Sequence, residues 1–591
     1  MKNKLWIILC AVALAACVIP LALNWHQPAD ETLPRNLDTE FRNGSGIVLD
    51  TATDLQRDSL YKLGKVWGFV KYRHPDILAG KINWDAELFR VLPGVLAAES
   101  PDAVNGVLLE WLTQFSFTVT TPESAVYWLD TQQQFPGTTL DLSWLSDREM
   151  LGEELCRYLE DLSHTYAESN SGGYATVSME ESGGKADLMA EKDMPLDPAD
   201  AGVKLLALFR LWNAYEYYSP YVDITDGDWD DALRTGIGTM LEARTTREYL
   251  LALASVTAAT GDAHVMFSGD TTDLYYYYGP HSLPCHCLML DGRAVVDAVP
   301  EGQKDLQPGD VLLAVDGQTM EDRLAELRSY FPLPEKNKYG YTMRGAHLST
   351  AGSRAEVTVD RGGQTLTFSV STLPEAFYPE NPWKNGLMED GRVGYIDPSV
   401  LAEGQLEALM KDFAGTDGII VDLRNYPSVP IVFTLGEYII PEPVIFLHSY
   451  HPNPVQPGSF YGPLGMVCGA GSSEIMGSFH KESPPAYEGK VILLMNDLSQ
   501  SQCETTIQGL RQAPRATVLG SPSIGADGDI ITMPLPGGLY VVFTGLGFFT
   551  VDDAPIQRVG LQPDVFCQPT AEDLRQGRDV LLEKAVELIL G

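Results

Sequence analysis

The stretch that decides the fold is KVILLMND at residues 490–497, followed by SQSQCE at residues 499–504. An apolar run typical of a buried strand stops at an Asn-Asp pair, and a helical spacing of apolar residues follows at Cys503, Ile507 and Leu510. The pattern predicts a strand, a tight turn that carries Ser501, and a helix. Backbone N–H groups at a helix start could face whatever the Ser501 hydroxyl attacks, although a serine-rich N-cap explains these residues equally simply.

Three more segments extend this pattern. They are GIIVDLRNYP at 418–427, ATVLGSPSIG at 516–525 and RVGLQPD at 558–564. In this order, together with the Ser501 turn, they resemble the catalytic domain of the S41 serine peptidases, the C-terminal processing or tail-specific family. The resemblance implies an α/β catalytic domain of the S41 (ClpP/crotonase-like) type, peptide-bond hydrolysis, and Ser501 as the nucleophile.

The composition is that of a large acidic globular protein. The 591 residues exceed a single core and predict several domains. The net charge of -39 disfavours nucleic acid and anionic membrane surfaces as partners, because both would repel the chain. A protein or peptide substrate is the expected partner, and the sequence gives no indication of an oligomeric state.

The N-terminus predicts a membrane anchor at residues 1–24. Two lysines precede an apolar run, and Leu14-Ala15-Ala16-Cys17 resembles a bacterial lipoprotein cleavage box, in which Cys17 would carry the lipid. The alternative is an uncleaved signal anchor, because the run stays apolar past Cys17. Either interpretation places the body outside the cytoplasm, tethered to the bacterial cell membrane.

The cysteines predict neither a disulfide scaffold nor a metal site. Six cysteines remain beyond Cys10 and Cys17, and these are too few to form a disulfide scaffold in a chain of this length. The Cys285-His286-Cys287 segment lacks the C-x-x-C pairing of structural zinc sites. No cofactor is expected.

The remaining chain divides by composition and by an internal repeat. Identical residues recur at one constant spacing in two segments, among them Trp67 and Trp212, and Trp84 and Trp229. They predict two related helical modules. The predicted units are a tether (25–55), a first helical module (56–160), an acidic Gly/Ser-rich linker (161–200), a second helical module (201–269), a β-rich domain (270–375) and the peptidase domain (385–591).

The β-rich domain contains LQPGDVLLAVDG at residues 306–317. This segment resembles the Gly-Asp turn and following strand of a PDZ domain, although a hairpin with a Pro-Gly turn has the same pattern. A PDZ-like domain implies capture of an extended peptide at a sheet edge.

The base that would activate Ser501 is not the usual one. The resemblance to the processing peptidases implies a lysine after Gly525, where this chain has Ala526. The tricorn-type branch instead uses a histidine from the preceding helical module, and His264 stands at that place. A lone structural histidine is the alternative. In that branch a glutamate orients the histidine, and the corresponding residue here is Gln557.

The oxyanion hole is expected at the backbone N–H of Gln502, with a second N–H near Tyr426. Relatives carry Gly-Gly where Ser428 and Val429 stand here, so a side chain could narrow the approach to the substrate carbonyl. Glu504 either complements the helix dipole or supports the site from behind. We therefore predict a serine endopeptidase, with an inactive peptide-binding protein on the same fold as the alternative.

Overall fold

A computed structural model describes residues 32–122, 125, 135–136, 140–167, 170–269, 274–334, 345–402, 404–472 and 484–591. The predicted anchor at residues 1–24, with Cys17, lies outside the described residues, so the anchoring interpretation stays a prediction. Within the described ranges, no helix is both long and apolar enough to cross a membrane.

The chain after residue 385 is built on a six-stranded sheet. In spatial order its strands are Gly386–Met388, Val393–Ile396, Gly418–Asp422, Lys490–Met495, Ala516–Gly520 and Val565–Phe566. The first pair is antiparallel and all other neighbours are parallel. Because parallel strands end at the same edge of a sheet, the segments that follow Asp422 and Met495 lie side by side. This edge carries the Ser501 turn.

Helices cover both faces of this sheet. They are Gln405–Asp412, Ile431–Ile439, Gln502–Leu510 and Val580–Leu590, whereas the short helix Ala571–Arg575 packs against the β-rich domain. Side chains alternate along the strands, so Val421 packs in one core with Ile507 and Leu510, whereas Ile420 packs in a second core with Leu582. The strand and helix predicted on either side of Ser501 are confirmed, and the three apolar residues of the helical pattern are fully buried.

Two three-stranded sheets complete this part of the chain. One contains Phe460–Cys468, Val444–Pro452 and Gly547–Phe549 in spatial order. The other contains Ile530–Leu535, Leu539–Thr544 and Met266–Gly269. The last strand comes from the end of the second helical module and pairs Met266 with Val542. The sheet therefore holds His264 against the peptidase domain.

The two helical segments share a local structure. The helices of the first are Pro34–Leu37, Asp54–Lys71, Pro75–Leu78, Trp84–Ala97, Pro101–Leu112 and Arg148–Ser163, and those of the second are Ala201–Tyr218, Trp229–Glu242 and Thr246–Ala258. In the first, the indoles of Trp67 and Trp84 each donate to the other's carbonyl oxygen, at 3.0 and 2.8 Å. Trp212 and Trp229 repeat this reciprocal pair at 2.7 and 3.3 Å, as expected of a duplicated unit.

The segment predicted as a linker packs against the modules on both sides. Glu191, within it, lies 2.6 Å from Lys71 and 3.0 Å from Arg210, and both cations also contact Asp85. All four side chains are almost completely buried. Removing one charge from such a cluster leaves its partner unpaired in a dry interior, so the cluster fixes the two modules relative to this segment.

The described part of the β-rich domain is an antiparallel sheet and a nine-residue helix. In spatial order its strands are Gln364–Ser371, Arg354–Arg361, Val311–Val315, Arg293–Ala298 and His286–Leu290, with Gln318–Thr319 beside Val311–Val315 and helix Met320–Arg328 following. Two further short strands, His281–Ser282 and Ser349–Thr350, pair beside it. Gly309 has a φ of 85°, as the predicted Pro-Gly turn requires, and the buried Asp310 accepts from Arg361 at 2.7 Å. The likeness to a PDZ domain stays a prediction.

Candidate active site

Ser501 lies at a strained turn between a strand and a helix. Its φ of 56° and ψ of −117° are rare for a residue with a side chain. The Ser501 N–H donates to Ala526 O at 2.8 Å and lies 3.2 Å from a carboxylate oxygen of Glu504. The half-buried Ser501 lines a cavity of about 550 Å³. The turn thus holds the hydroxyl at the cavity wall, as a nucleophile requires.

His264 is held by Thr544 and Asp262. Its Nδ1 lies 2.9 Å from Thr544 Oγ1, and that hydroxyl donates to Asp262 Oδ1 at 2.9 Å. Because the Thr544 proton is directed at the carboxylate, Thr544 Oγ1 accepts from the His264 Nδ1–H. This tautomer leaves Nε2 as the basic nitrogen of the ring.

Asp262 collects four hydrogen bonds in a buried position. Its carboxylate accepts from the backbone N–H groups of His264 and Thr544, from the Thr544 hydroxyl, and from the Gln557 side chain, at 2.8–3.0 Å. The sequence predicted that Gln557 orients His264. The hydrogen bond of the Gln557 amide instead goes to Asp262, so Gln557 supports the histidine through this carboxylate.

The segments that carry Ser501 and His264 are in contact. The side-chain amide of Gln500 donates to Ala263 O at 3.0 Å. Ala263 also packs with Ile524 and Ala526 in a small buried cluster. The place at which the processing peptidases carry lysine is therefore filled by a fully buried methyl group facing the histidine segment. The residues that line the cavity include no lysine.

Glu504 supports the turn from behind, which is the second of the two roles considered for it. It is completely buried, and its carboxylate accepts from the backbone N–H groups of Gly525 and Ala526, at 3.0 and 2.9 Å, and from the Ser523 hydroxyl. Together with its contact to the Ser501 N–H, these bonds fix the loop after strand Ala516–Gly520 against the Ser501 turn.

A second buried carboxyl group, Asp527, lies close enough to Glu504 for their charges to interact. Burial, and then the charge of Asp527, raises the pKa of Glu504 from 4.5 to about 8. Burial raises the pKa of Asp527 from 3.8 to about 7. Between about pH 4 and pH 8 the unfolded chain therefore releases protons that the folded chain keeps. The stability associated with these two groups is greatest at low pH and falls as the pH rises through this window.

The two expected oxyanion residues both line the cavity. Gln502 is the first residue of helix Gln502–Leu510, where a backbone N–H has no acceptor within the helix. Tyr426 is 40% exposed in the loop that follows strand Gly418–Asp422. Ser428 turns away, because its N–H and its hydroxyl both donate to Pro398 O, at 3.0 and 2.9 Å. Its side chain therefore does not narrow the site.

The Asp-Leu-Arg-Asn segment at 422–425 has a structural role. Arg424 donates to Asp422 at 2.9 and 2.6 Å and to Asp579 at 2.9 Å. The Ser499 hydroxyl, from the nucleophile loop, donates to Leu423 O at 2.8 Å. These bonds join the two loops that carry Tyr426 and Ser501.

The Cys285-His286-Cys287 segment lies in the β-rich domain. The ring of His286 lies 2.7 Å from Asp297. Within the described ranges, no group of three or more His, Cys, Asp or Glu side chains is arranged to hold a metal ion.

Comparison with known proteins identifies the peptidase domain. Residues 392–566 match the model of peptidase family S41. These residues therefore form a peptidase domain of the S41 type. This family consists of serine-type peptidases, in agreement with the resemblance found in the sequence.

Two relatives show how far the likeness to S41 proteins extends. The carboxy-terminal-processing protease of Bartonella bacilliformis is 22% identical over 296 residues, which are 49% of this chain and 60% of that protein. The match thus spans less than two thirds of the relative. The solved structure of mature CPAF complexed with lactacystin is 15% identical, covers 66% of this chain and 98% of that chain, and has a TM-score of 0.52. This second likeness concerns the fold alone.

Three residues of the candidate site were not predicted from the sequence. Asp262 stands two residues before His264, and that proximity was an available signal. Thr544 gave no signal, because only the pairing of distant strands brings it to the histidine. His451 is buried in the cavity wall, where its Nε2 lies 3.1 Å from the Ser449 hydroxyl.

Proposed function

We propose that the chain is a serine endopeptidase that hydrolyses peptide bonds through Ser501, with His264 as general base. The observation that carries this proposal is the chain of hydrogen bonds from His264 Nδ1 through Thr544 to Asp262. A hydroxyl group is a weak nucleophile and needs a base whose other nitrogen is held by an acceptor. Thr544, held by Asp262, supplies that acceptor, so His264 can serve as the base where the usual lysine is absent.

The reaction follows from these roles. His264 Nε2 takes the Ser501 proton as Oγ attacks the substrate carbonyl, and the backbone N–H groups of Gln502 and Tyr426 stabilise the negative oxygen. The imidazolium then donates its proton to the leaving amine, and an acyl-enzyme forms. Water, activated by the same histidine, attacks this ester and regenerates Ser501.

We further propose an extracytoplasmic location and a tethered form, with lipid on Cys17 or an uncleaved anchor at residues 1–24. The lipoprotein-like box and the basic residues before the apolar run support it. The β-rich domain at 270–375 would capture extended protein or peptide substrates by adding a strand at a sheet edge.

The test is labelling with a fluorophosphonate probe, followed by mass-spectrometric mapping of the modified residue and by peptide hydrolysis assays. We expect the label on Ser501, and we expect Ser501→Ala to abolish both labelling and hydrolysis while the unfolding temperature is kept. His264→Gln should abolish hydrolysis. The control is His448→Gln, since the His448 ring lies 2.8 Å from Asp553 and His448 is not among the residues that line the cavity.

Two results would contradict the proposal. A label on another serine would show that the nucleophile is misassigned. Full activity of His264→Gln would show that the general base is misassigned. A folded protein that neither takes the label nor cleaves peptides, yet binds them, would support the inactive peptide-binding alternative.

A further inference from the structure

A short hairpin from outside the matched peptidase domain forms part of the active-site cavity. This strap, residues 176–187, contains strands Thr176–Val177 and Ala186–Asp187 and the single helical turn Met179–Ser182 between them. It lies in the segment that the composition predicted as a linker. Met179 lines the same cavity as Ser501 and is 53% exposed there.

Several contacts fix the strap against the peptidase domain. The Tyr461 hydroxyl lies 3.4 Å from the Met179 sulfur, and Lys185 Nζ lies 2.8 Å from Asp529. Gly184 has a φ of 81°, and a Cβ added there would lie 2.4 Å from His451 Nδ1. The backbone of the strap therefore rests directly on the cavity wall, and a larger residue at 184 would displace it.

The cavity facing Met179 is mostly apolar. Its other apolar wall residues are Leu464, Met466, Leu546 and Phe548. Leu464 is 40% exposed, so both Leu464 and Met179 offer apolar surface to whatever enters. Leu464 and Met466 belong to Phe460–Cys468, which has one neighbour in its sheet and so lies at an edge among the described strands. An extended peptide can pair with such an edge.

The cavity also presents little net charge. Asp529 is the single acidic or basic side chain among its lining residues, and Lys185 of the strap neutralises it. The only histidine of the lining is His451, and burial lowers its pKa below the usual value, so its ring is neutral near pH 7. A charged side chain of a substrate would lose water there without gaining a partner.

We propose that the strap determines substrate specificity. Met179 forms the wall of a pocket for an apolar substrate side chain beside the scissile bond. Lys185 pairs with the Asp529 carboxylate, which would otherwise bind a basic substrate side chain. This inference rests on the proposed function, because it assigns the pocket next to Ser501 to the substrate. Met179 and Lys185 are specificity residues and take no part in the bond-breaking steps.

The decisive experiment uses Lys185→Met, which keeps the aliphatic stem and exposes the Asp529 charge. The full-length protein and its variants are assayed with a fluorogenic octapeptide library in which Leu, Ala, Lys or Glu occupies each position around the cleaved bond. We expect the ratio of kcat/KM for Lys to that for Leu to rise about two- to fivefold at one position, the size of a half-exposed ion pair. Lys185→Met/Asp529→Asn should return the ratio to the parent value.

Two further variants separate the pocket from general effects. Met179→Ala should lower kcat/KM for Leu about three- to tenfold while that for Ala changes little, since the lost contact serves only the larger side chain. Lys81→Met is the matched control, because Lys81 also pairs with an aspartate, at 2.6 Å, but outside the cavity lining. It should leave every ratio unchanged.

The outcomes distinguish this inference from the proposed function. If the parent takes the fluorophosphonate label on Ser501 and cleaves the library, but no ratio moves in Lys185→Met or Met179→Ala, the strap does not set specificity. If the parent takes no label and cleaves nothing, the proposed function fails and the pocket assignment fails with it.

Discussion

A single hydroxyl group connects His264 to Asp262, and Thr544→Val removes it while the shape of the side chain is kept. Thr544 Oγ1 lies 2.9 Å from His264 Nδ1 and 2.9 Å from Asp262 Oδ1, in a fully buried position. The direct distance from His264 Nδ1 to Asp262 Oδ1 is 3.9 Å, too long for a hydrogen bond. With valine at position 544, His264 Nδ1 loses its hydrogen-bond acceptor, and the Asp262 carboxylate is too far away to replace it.

The size of the effect follows from the loss of a buried hydrogen bond. A buried donor that loses its acceptor costs about 1–3 kcal/mol, and 1.36 kcal/mol corresponds to a factor of ten. The Nδ1–H of His264 carries the most positive charge when the ring has taken the Ser501 proton, so most of this cost falls on the transition state. We expect kcat to decrease about 5- to 150-fold and KM to change little.

Thr544→Ser is the matched control, since it keeps the hydroxyl and loses only the methyl group. Steady-state kcat and KM on one fluorogenic peptide are measured for the parent, Thr544→Val and Thr544→Ser, well below the unfolding temperature of each protein. We expect Thr544→Ser to retain most of the parent kcat. The reasoning would be refuted if Thr544→Val kept the parent kcat, or if kcat decreased as much in Thr544→Ser as in Thr544→Val.

Three further predictions concern stability and anchoring. Asp527→Asn removes the charge that raises the pKa of Glu504. The free energy of unfolding in urea should therefore decrease less for this variant than for the parent between about pH 5 and pH 8. An equal decrease in both proteins would contradict the interaction between Asp527 and Glu504. Lys71→Met leaves Glu191 without its closest cation and should cost about 3–5 kcal/mol in urea unfolding, whereas a cost below about 1 kcal/mol would show that the cluster is not a clamp. Cys17→Ala should block lipid incorporation and processing, and an unchanged mature mass would favour the uncleaved anchor.

The sequence predicted those parts of the site that depend on neighbouring residues. The strand and helix around Ser501 followed from an apolar run and a helical spacing, because these local patterns must bury their apolar faces. The repeated tryptophans predicted two helical modules, and the same reciprocal indole bonds occur in both. The place of His264 came from the order of motifs in related proteins, and its role stays a proposal.

Contacts between distant strands were beyond the reach of sequence patterns. Thr544 meets His264 because Leu539–Thr544 pairs with Met266–Gly269, and no spacing in the sequence encodes that pairing. The strap was predicted as a linker since it is rich in Gly, Ser and acidic residues. Met179 lines the cavity and Lys185 pairs with Asp529 of its wall, and a composition average conceals both side chains.

Glutamine at position 557 bears on whether the site is active. In the tricorn-type pattern that the sequence resembles, this place carries a glutamate, so Gln557 alone suggests the loss of a catalytic carboxylate. Here its amide donates to Asp262 at 2.8 Å, while Asp262 reaches His264 through Thr544. Two carboxylates at that distance in a buried site would repel each other, whereas an amide donor stabilises the charge of Asp262. The negative charge behind the histidine is therefore supplied by Asp262, and Gln557 holds that carboxylate in place. The substitution at 557 consequently gives no support to an inactive enzyme, and Asp262→Asn, rather than Gln557→Ala, is the change that would remove the charge behind the histidine.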